Sequence, residues 1–422
     1  MATLPLAHGK PVRRNELDWL RTFAVLGLIP FHAAVIFTTG SMDYVKNAET
    51  SRGVDVFVAF ISTWGMPLIF LIAGAGARFA LQVRTPPHFV RERFTRLVIP
   101  FLVGMLAVVP LQVYISRIAR GTAPAFLPFY GNHVAMLLRI FTGVIPPSGA
   151  DFIGHLWFIP MLILFEALVL SLDGFFRAGA GQRLLQFIAT HVRGMGFVAL
   201  FGLPFGVAQF IFRGSAALDP EFQSVSAWSL CAQFLLAYLA GYVIYADSRL
   251  ERSARAVGPR TLLLACLASS AAETLQLTNL APRPAMTLTY AAYALLTGYT
   301  SWLWVVAILS YGMRFLTQTN GLLHYLNEAA YPAYVLHMPI LSLIALYVVR
   351  WPLPLLAKLL LIALATLAAT LALYDLLVRR IGIMRRLFGL KLRPPGKPPS
   401  LPPIDAPRTA RASHVSAVLE RP

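Results

Sequence analysis

Cysteine is nearly missing from this chain: there are two in 422 residues. Cys231 and Cys266 both fall inside apolar runs, so neither a disulfide framework nor a cysteine-based zinc site is expected. Charge is scarce too. Only 13% of residues are charged, and the acidic share is the smaller, 18 Asp and Glu against 36 Lys and Arg. With 57% hydrophobic residues and a mean hydropathy of +0.66, the composition exceeds what a globular core needs. It fits repeated spans of about 20 apolar residues. The net charge of +18 does not point to a nucleic-acid partner. The basic residues recur between apolar runs instead of lining one face, as the positive-inside rule predicts.

Ten apolar runs can be read, near 17–37, 54–82, 97–117, 152–173, 195–213, 226–246, 261–280, 287–313, 330–349 and 353–378. They predict an all-α polytopic membrane bundle of about ten transmembrane helices, the second kinked at Pro67. Counting alternate loops puts 25 basic residues on one side and eight on the other, or 15 against eight without the tail. Both termini are therefore expected in the cytoplasm, and the membrane domain is expected to be held in the cytoplasmic (inner) membrane. The first run follows sixteen mixed polar residues without a convincing small-residue cleavage site, so it reads as a retained span. The divisions are a cytoplasmic N-terminal segment at 1–16, a membrane domain at 17–390 and a Pro-rich disordered cytoplasmic tail at 391–422. The stretch 118–151, rich in Phe, Pro and Gly, reads as the one long outward loop and as a cap over a site.

Ionisable side chains inside a bilayer are costly and mark reaction or transport sites. Arg21 and His32 lie eleven positions apart on the first span, roughly 16 Å of helical rise and almost three turns. They share a face, the arginine near one surface and the histidine past mid-membrane. Asp18, at i, i+3 from Arg21, can neutralise and orient it. His337 is read about 10 Å in from the same side as Arg21 by helical rise, either catalytic or packed. His155, beside Trp157, is read at the outer mouth of the fourth span, as a structural or acceptor-side residue. Arg93 and Arg96 share a face of a helical turn at the inner surface. Their guanidinium forks suit phosphate oxygens, or they anchor against anionic lipid headgroups. Glu166 and Glu273 are buried carboxylates that either orient a histidine or stay protonated and packed.

These stretches resemble a known pattern. Arg21, ten intervening residues and His32 resemble the Arg-x10-His signature of the acyltransferase 3 family. Arg93-x-x-Arg96 before Ile99-Pro100 is similar to that family's inner-loop Arg-x-x-Arg. His155-Leu156-Trp157-Phe158-Ile159-Pro160 and Tyr334-Val335-Leu336-His337-Met338-Pro339 are similar to two further stretches. The resemblance spans about 14–390, and the stand-alone, ten-span form is similar to the members that succinylate periplasmic glucans. Thr22 departs from it, standing where many members have glycine. The resemblance implies an integral membrane enzyme that takes an acyl group from cytosolic acyl-CoA (acetyl-CoA or succinyl-CoA) and delivers it to a glycan or glycoside hydroxyl, without a metal.

On that reading Arg93 and Arg96 hold the donor phosphates. His32 acts as general base or as a transient acyl carrier, and Arg21 stabilises either the thioester oxyanion or the donor's charge. Membrane lipid is the surrounding partner; oligomeric state is not encoded legibly. The competing reading is a transporter or flippase of a lipid-linked glycan. Such proteins often carry internal repeats, and the first five spans are not repeated in the last five.

Overall fold

The computed structural model describes residues 14–40, 45–142, 153–216 and 225–391. The segment 1–13, the Pro-rich segment from 392 onward and the end of the expected outward cap, from 143, lie outside the described residues. Among the described residues, fourteen helical units follow in order. They are α1 (Asn15–Val35), α2 (Arg52–Val83), α3 (Pro86–Ala119), α4 (Phe126–Phe141), α5 (Gly154–Arg177), α6 (Gly179–His191) and α7 (Met195–Ala216). Then come α8 (Val225–Ile244), α9 (Ser248–Ala256), α10 (Gly258–Leu277), α11 (Leu288–Phe315), α12 (Gly321–Val348), α13 (Leu355–Val378) and α14 (Gly382–Leu387).

A helix stands at each of the ten apolar runs. By length and composition, seven of the described helices can cross a membrane, or eight if α8 and α9, bent by 115°, form one broken span. The difference from ten has a chemical origin. α1 carries Glu16, Asp18, Arg21 and His32, and α10 carries Arg260, Glu273 and several hydroxyl residues, which lower their apolarity. Two stretches expected as loops are helical. Residues 86–96 continue into α3, and 126–141 within the expected cap form α4.

Local chemistry explains the boundaries. Asn320 and Thr287 accept the exposed N–H groups of Leu323 and Tyr290 at the starts of α12 and α11, the usual task of an N-cap oxygen. α3 widens into π turns at Phe94–Val98 and Gly104–Val108, just ahead of Pro100 and Pro110. Proline lacks the N–H that would close the preceding α turn, and the π geometry absorbs that loss. α2, at 32 residues, is about 48 Å long and exceeds a hydrocarbon layer of about 30 Å, so it tilts or projects.

Small residues let the helices close up. Gly74 on α2 faces the Tyr238 carbonyl of α8, and Gly241 on α8 faces the Leu71 carbonyl of α2. A Cβ at either position would overlap the facing oxygen. Close crossings of this type replace the hydrophobic driving force that lipid cannot supply. Gly241→Ala is therefore expected to destabilise the bundle by about 1–3 kcal/mol. A lower thermal midpoint of the purified protein in detergent would report it. Between α7 and α11, Gly206 and Gly298 meet backbone to backbone. Nearby, fully buried Trp302 donates its indole N–H to the Val198 carbonyl at 3.0 Å. The neighbouring pair α1 and α12 packs together, and this brings two histidines face to face.

Candidate functional site

Three helices each deliver a histidine to the same point. α1 presents Arg21, Val25 and Leu28 to an internal passage, and His32 is the next residue on that stripe, at i+11. α12 presents Asn327, Tyr331 and Tyr334, with His337 next; α5 presents Leu162 and Phe158, with His155 one turn beyond. The rings of His32 and His337 lie 5.4 Å apart, and those of His337 and His155 5.3 Å apart, centroid to centroid. His155 and His337 are buried, at 4% and 1% exposure, whereas His32 keeps part of its surface accessible.

Hydrogen bonds orient the cluster. His337 donates Nδ1–H to the Tyr334 carbonyl at 2.7 Å, and its buried Nε2 has no hydrogen-bond partner. In a neutral ring this tautomer leaves a lone pair on Nε2. His155 donates Nε2–H to the Val335 carbonyl at 3.0 Å, and its Nδ1 meets the Gln112 side-chain amide at 2.6 Å. The Val335 carbonyl is available because its helical partner would be the N–H of residue 339, which is proline. Pro339 thus gives His155 its acceptor. The Tyr334 hydroxyl donates to the His155 carbonyl at 2.7 Å and ties α12 to the start of α5. Beyond His32, Lys46 caps the end of α1 through the Val35 and Thr38 carbonyls at 3.0 and 3.1 Å. Burial pushes this ammonium's pKa below its ordinary value.

At the other end of α1 lies a basic cavity of about 640 Å³. Arg21, Arg84, Arg93, Arg96, Arg385 and Lys391 line it, with Glu166 and Glu328 as its acidic residues. Arg93 Nε lies 3.0 Å from Glu166 Oε1, and its guanidinium stacks over Phe89 at 4.8 Å. Glu92 pairs with both Arg84 and Arg96, at 2.8 and 3.1 Å. Arg385, 6% exposed, bonds Glu328 at 2.6 Å and the carbonyls of Arg379 and Lys391, holding the turn after α14 against the cavity. Arg21 lies 3.7 Å from Asp18. A narrower void of about 190 Å³ shares Arg21, Arg96, Leu97 and Tyr331 with this cavity and runs on to Tyr334 and Phe158. A charged mouth therefore adjoins a mostly apolar void whose inner wall, Leu28, Phe158 and Tyr334, lies about one helical turn from His32, His155 and His337 on their own helices.

A family model described as an acyltransferase domain matches residues 14–375. The chain belongs to the acyltransferase 3 family. Among curated proteins, glucans biosynthesis protein C of Escherichia coli strain K12 is 26% identical over 159 residues, 37% of this chain and 38% of that protein. The same protein from Escherichia coli O1:K1 / APEC matches at the same identity and coverage. The aligned stretch thus spans under two fifths of the relatives' length. No solved structure matches.

His32, His155 and His337, which stand in three separate stretches of the sequence, come together here at one point. That shifts one position read from the sequence. α12 begins at Gly321, nine residues before the apolar run, so His337 sits roughly 24 Å along its helix instead of about 10 Å. His155 stands at the start of α5, in the four-residue turn Gly154–Trp157, where its bond to the Val335 carbonyl holds it against α12. Glu166 orients no histidine; it pairs with Arg93. Glu273 lies elsewhere, in a cavity between α2, α7, α8, α10 and α11. Gln112, Arg84, Arg385 and Lys391 were not legible as site residues, the last two having counted only as tail charge. Among the described residues, no group of three His, Cys, Asp or Glu side chains is arranged to hold a metal ion.

Proposed function

We propose that this protein is a membrane-embedded O-acyltransferase that moves an acetyl or succinyl group from acyl-CoA to a hydroxyl of a glycan or glycoside. We place it in the cytoplasmic membrane as a multi-pass protein of about ten spans, with both termini and the basic cavity on the cytoplasmic side. The observation that supports this reading is a basic cavity, lined by six cationic side chains, that shares its inner wall with a narrower void reaching Tyr334, whose ring lies 5.9 Å from that of His155 and 6.1 Å from that of His337. Donor chemistry fits that route. A pantetheine arm is about a dozen bonds long and extends to on the order of 15 Å at backbone-like geometry. The rise from Arg21 to His32 is about 16 Å. Phosphates held at the mouth would bring the thioester to the rings.

His32 acts as the general base. Its imidazole takes the proton of the acceptor hydroxyl as that oxygen attacks the thioester carbonyl, and collapse of the adduct expels the CoA sulfur, which receives the proton. His337, its tautomer held by the Tyr334 carbonyl, presents the Nε2 lone pair to this exchange and positions His32. Arg21 serves the donor's negative charge, not the oxyanion, because eleven residues of helix separate it from His32. Asp18 fixes its side chain. Arg93 and Arg96 hold phosphate oxygens, which suits planar forks.

Incubating the purified protein with radiolabelled acyl-CoA and a glucan oligosaccharide tests the proposal. Label should reach the glucan with wild-type protein and fail to do so with His32→Ala. Glycan movement across a vesicle membrane without acyl-CoA consumption would instead support the transporter reading. Label retained on acid-quenched protein would make His32 a covalent carrier.

A further inference from the structure

A second polar cavity, of about 260 Å³, lies among α2, α7, α8, α10 and α11. It meets α2 at residues 59–67, whereas the basic cavity meets the same helix at residues 73–84. The two voids therefore open at different levels, with α2 between them. Polar groups inside membrane-spanning helices are stable only where water, protein or ligand satisfies them. Here several are left open. Gln233, 5% exposed, has no hydrogen-bond partner for its Nε2, and Ser301, 2% exposed, has none for its hydroxyl. Nε of Arg213, which also lines the cavity, is likewise buried without a partner. The rings of Tyr290 and Tyr293 form another wall.

We infer that this cavity is a carbohydrate subsite that receives one sugar unit of a neutral acceptor. The amide of Gln233, the hydroxyl of Ser301 and the guanidinium of Arg213 supply directional partners for ring hydroxyls. The tyrosine rings supply flat apolar faces for a sugar's C–H surface. Charge separates it from the donor cavity: Arg213 is matched by Glu273 here, against six cations and two carboxylates there. The volume suits one ring, since about nine waters would fill it at roughly 30 Å³ each. Phe234 lies between the subsite and the turn that carries His155. It lines the cavity and stacks on Trp157 at 5.6 Å, two residues beyond His155. The acceptor role rests on the transferase reading above; carbohydrate binding itself does not.

The test is binding of a glucan oligosaccharide to the full-length protein in lipid nanodiscs, with acyl-CoA absent, followed by saturation-transfer NMR. Wild-type protein should give sugar-ring contacts. Gln233→Leu should weaken the apparent Kd by about 10- to 100-fold, since a site built to bond a hydroxyl loses that much when one strong partner goes. Ser301→Ala, a small change that the bundle tolerates, should weaken it several-fold. A charged oligosaccharide of equal length should bind more weakly than the neutral one. The inference is overturned if wild-type protein shows no ring contacts, or if both variants bind as tightly as wild type. Sugar binding lost in the variants, from a wild-type protein that transfers no acyl group, would uphold the subsite and reject the transferase reading.

Discussion

His32→Ala is expected to lower the rate of acyl transfer by about 10²- to 10⁴-fold, the contribution of a positioned general base. Folding and insertion should survive, because His32 is partly accessible and its loss leaves no buried charge uncompensated. KM for the donor should change little, since the phosphates are held some 16 Å away. His337→Asn probes the same chemistry from the facing helix. An asparagine amide can still donate to the Tyr334 carbonyl from the Nδ1 position, but the Nε2 lone pair is gone, so a smaller fall in kcat is expected. A purified-enzyme assay with saturating acyl-CoA separates these outcomes. Wild-type turnover by His32→Ala would contradict the assignment.

Arg96→Ala is expected to raise KM for acyl-CoA by about 10- to 100-fold with kcat nearly unchanged. That range follows from losing one charge-assisted hydrogen bond of about 1.5–3 kcal/mol. An interaction made equally in ground and transition states appears in KM alone. Arg96 is the better probe of the two motif arginines. Its partner Glu92 stays held by Arg84 after the change. Arg93→Ala would strand Glu166, 4% exposed, without its cation. Breaking such a pair destabilises strongly and would confuse binding with folding. Initial rates against donor concentration, at fixed acceptor, give the answer. An unchanged KM would move phosphate binding away from α3.

Much of this site could be read from periodicity. Arg21 and His32 occupy one stripe of α1 because eleven residues return to the same helical face, and that stripe does line the passage. The failures share a cause. Gly321–Ala329 and Pro86–Arg96 are amphipathic helix ends whose polar sides face the basic cavity, so hydropathy cut both helices short. That placed His337 too near the start of its helix. The pairing of Arg93 with Glu166, 73 positions away in sequence, and the seating of His155 against His337 depend on how α3, α5 and α12 cross. No spacing within one segment encodes those crossings. Arg385 and Lys391 resembled generic positive-inside charge because nothing local marks a tail residue that folds back over a cavity.

The most direct measurement is an electron cryomicroscopy structure of the protein with a non-hydrolysable acyl-CoA thioether. The account predicts phosphate density against Arg96 and Arg93, the pantetheine arm between Leu97 and Tyr331, and the acyl carbon beside His32 and His337. Density for the nucleotide outside the basic cavity, or an acyl group directed away from the three histidines, would contradict it.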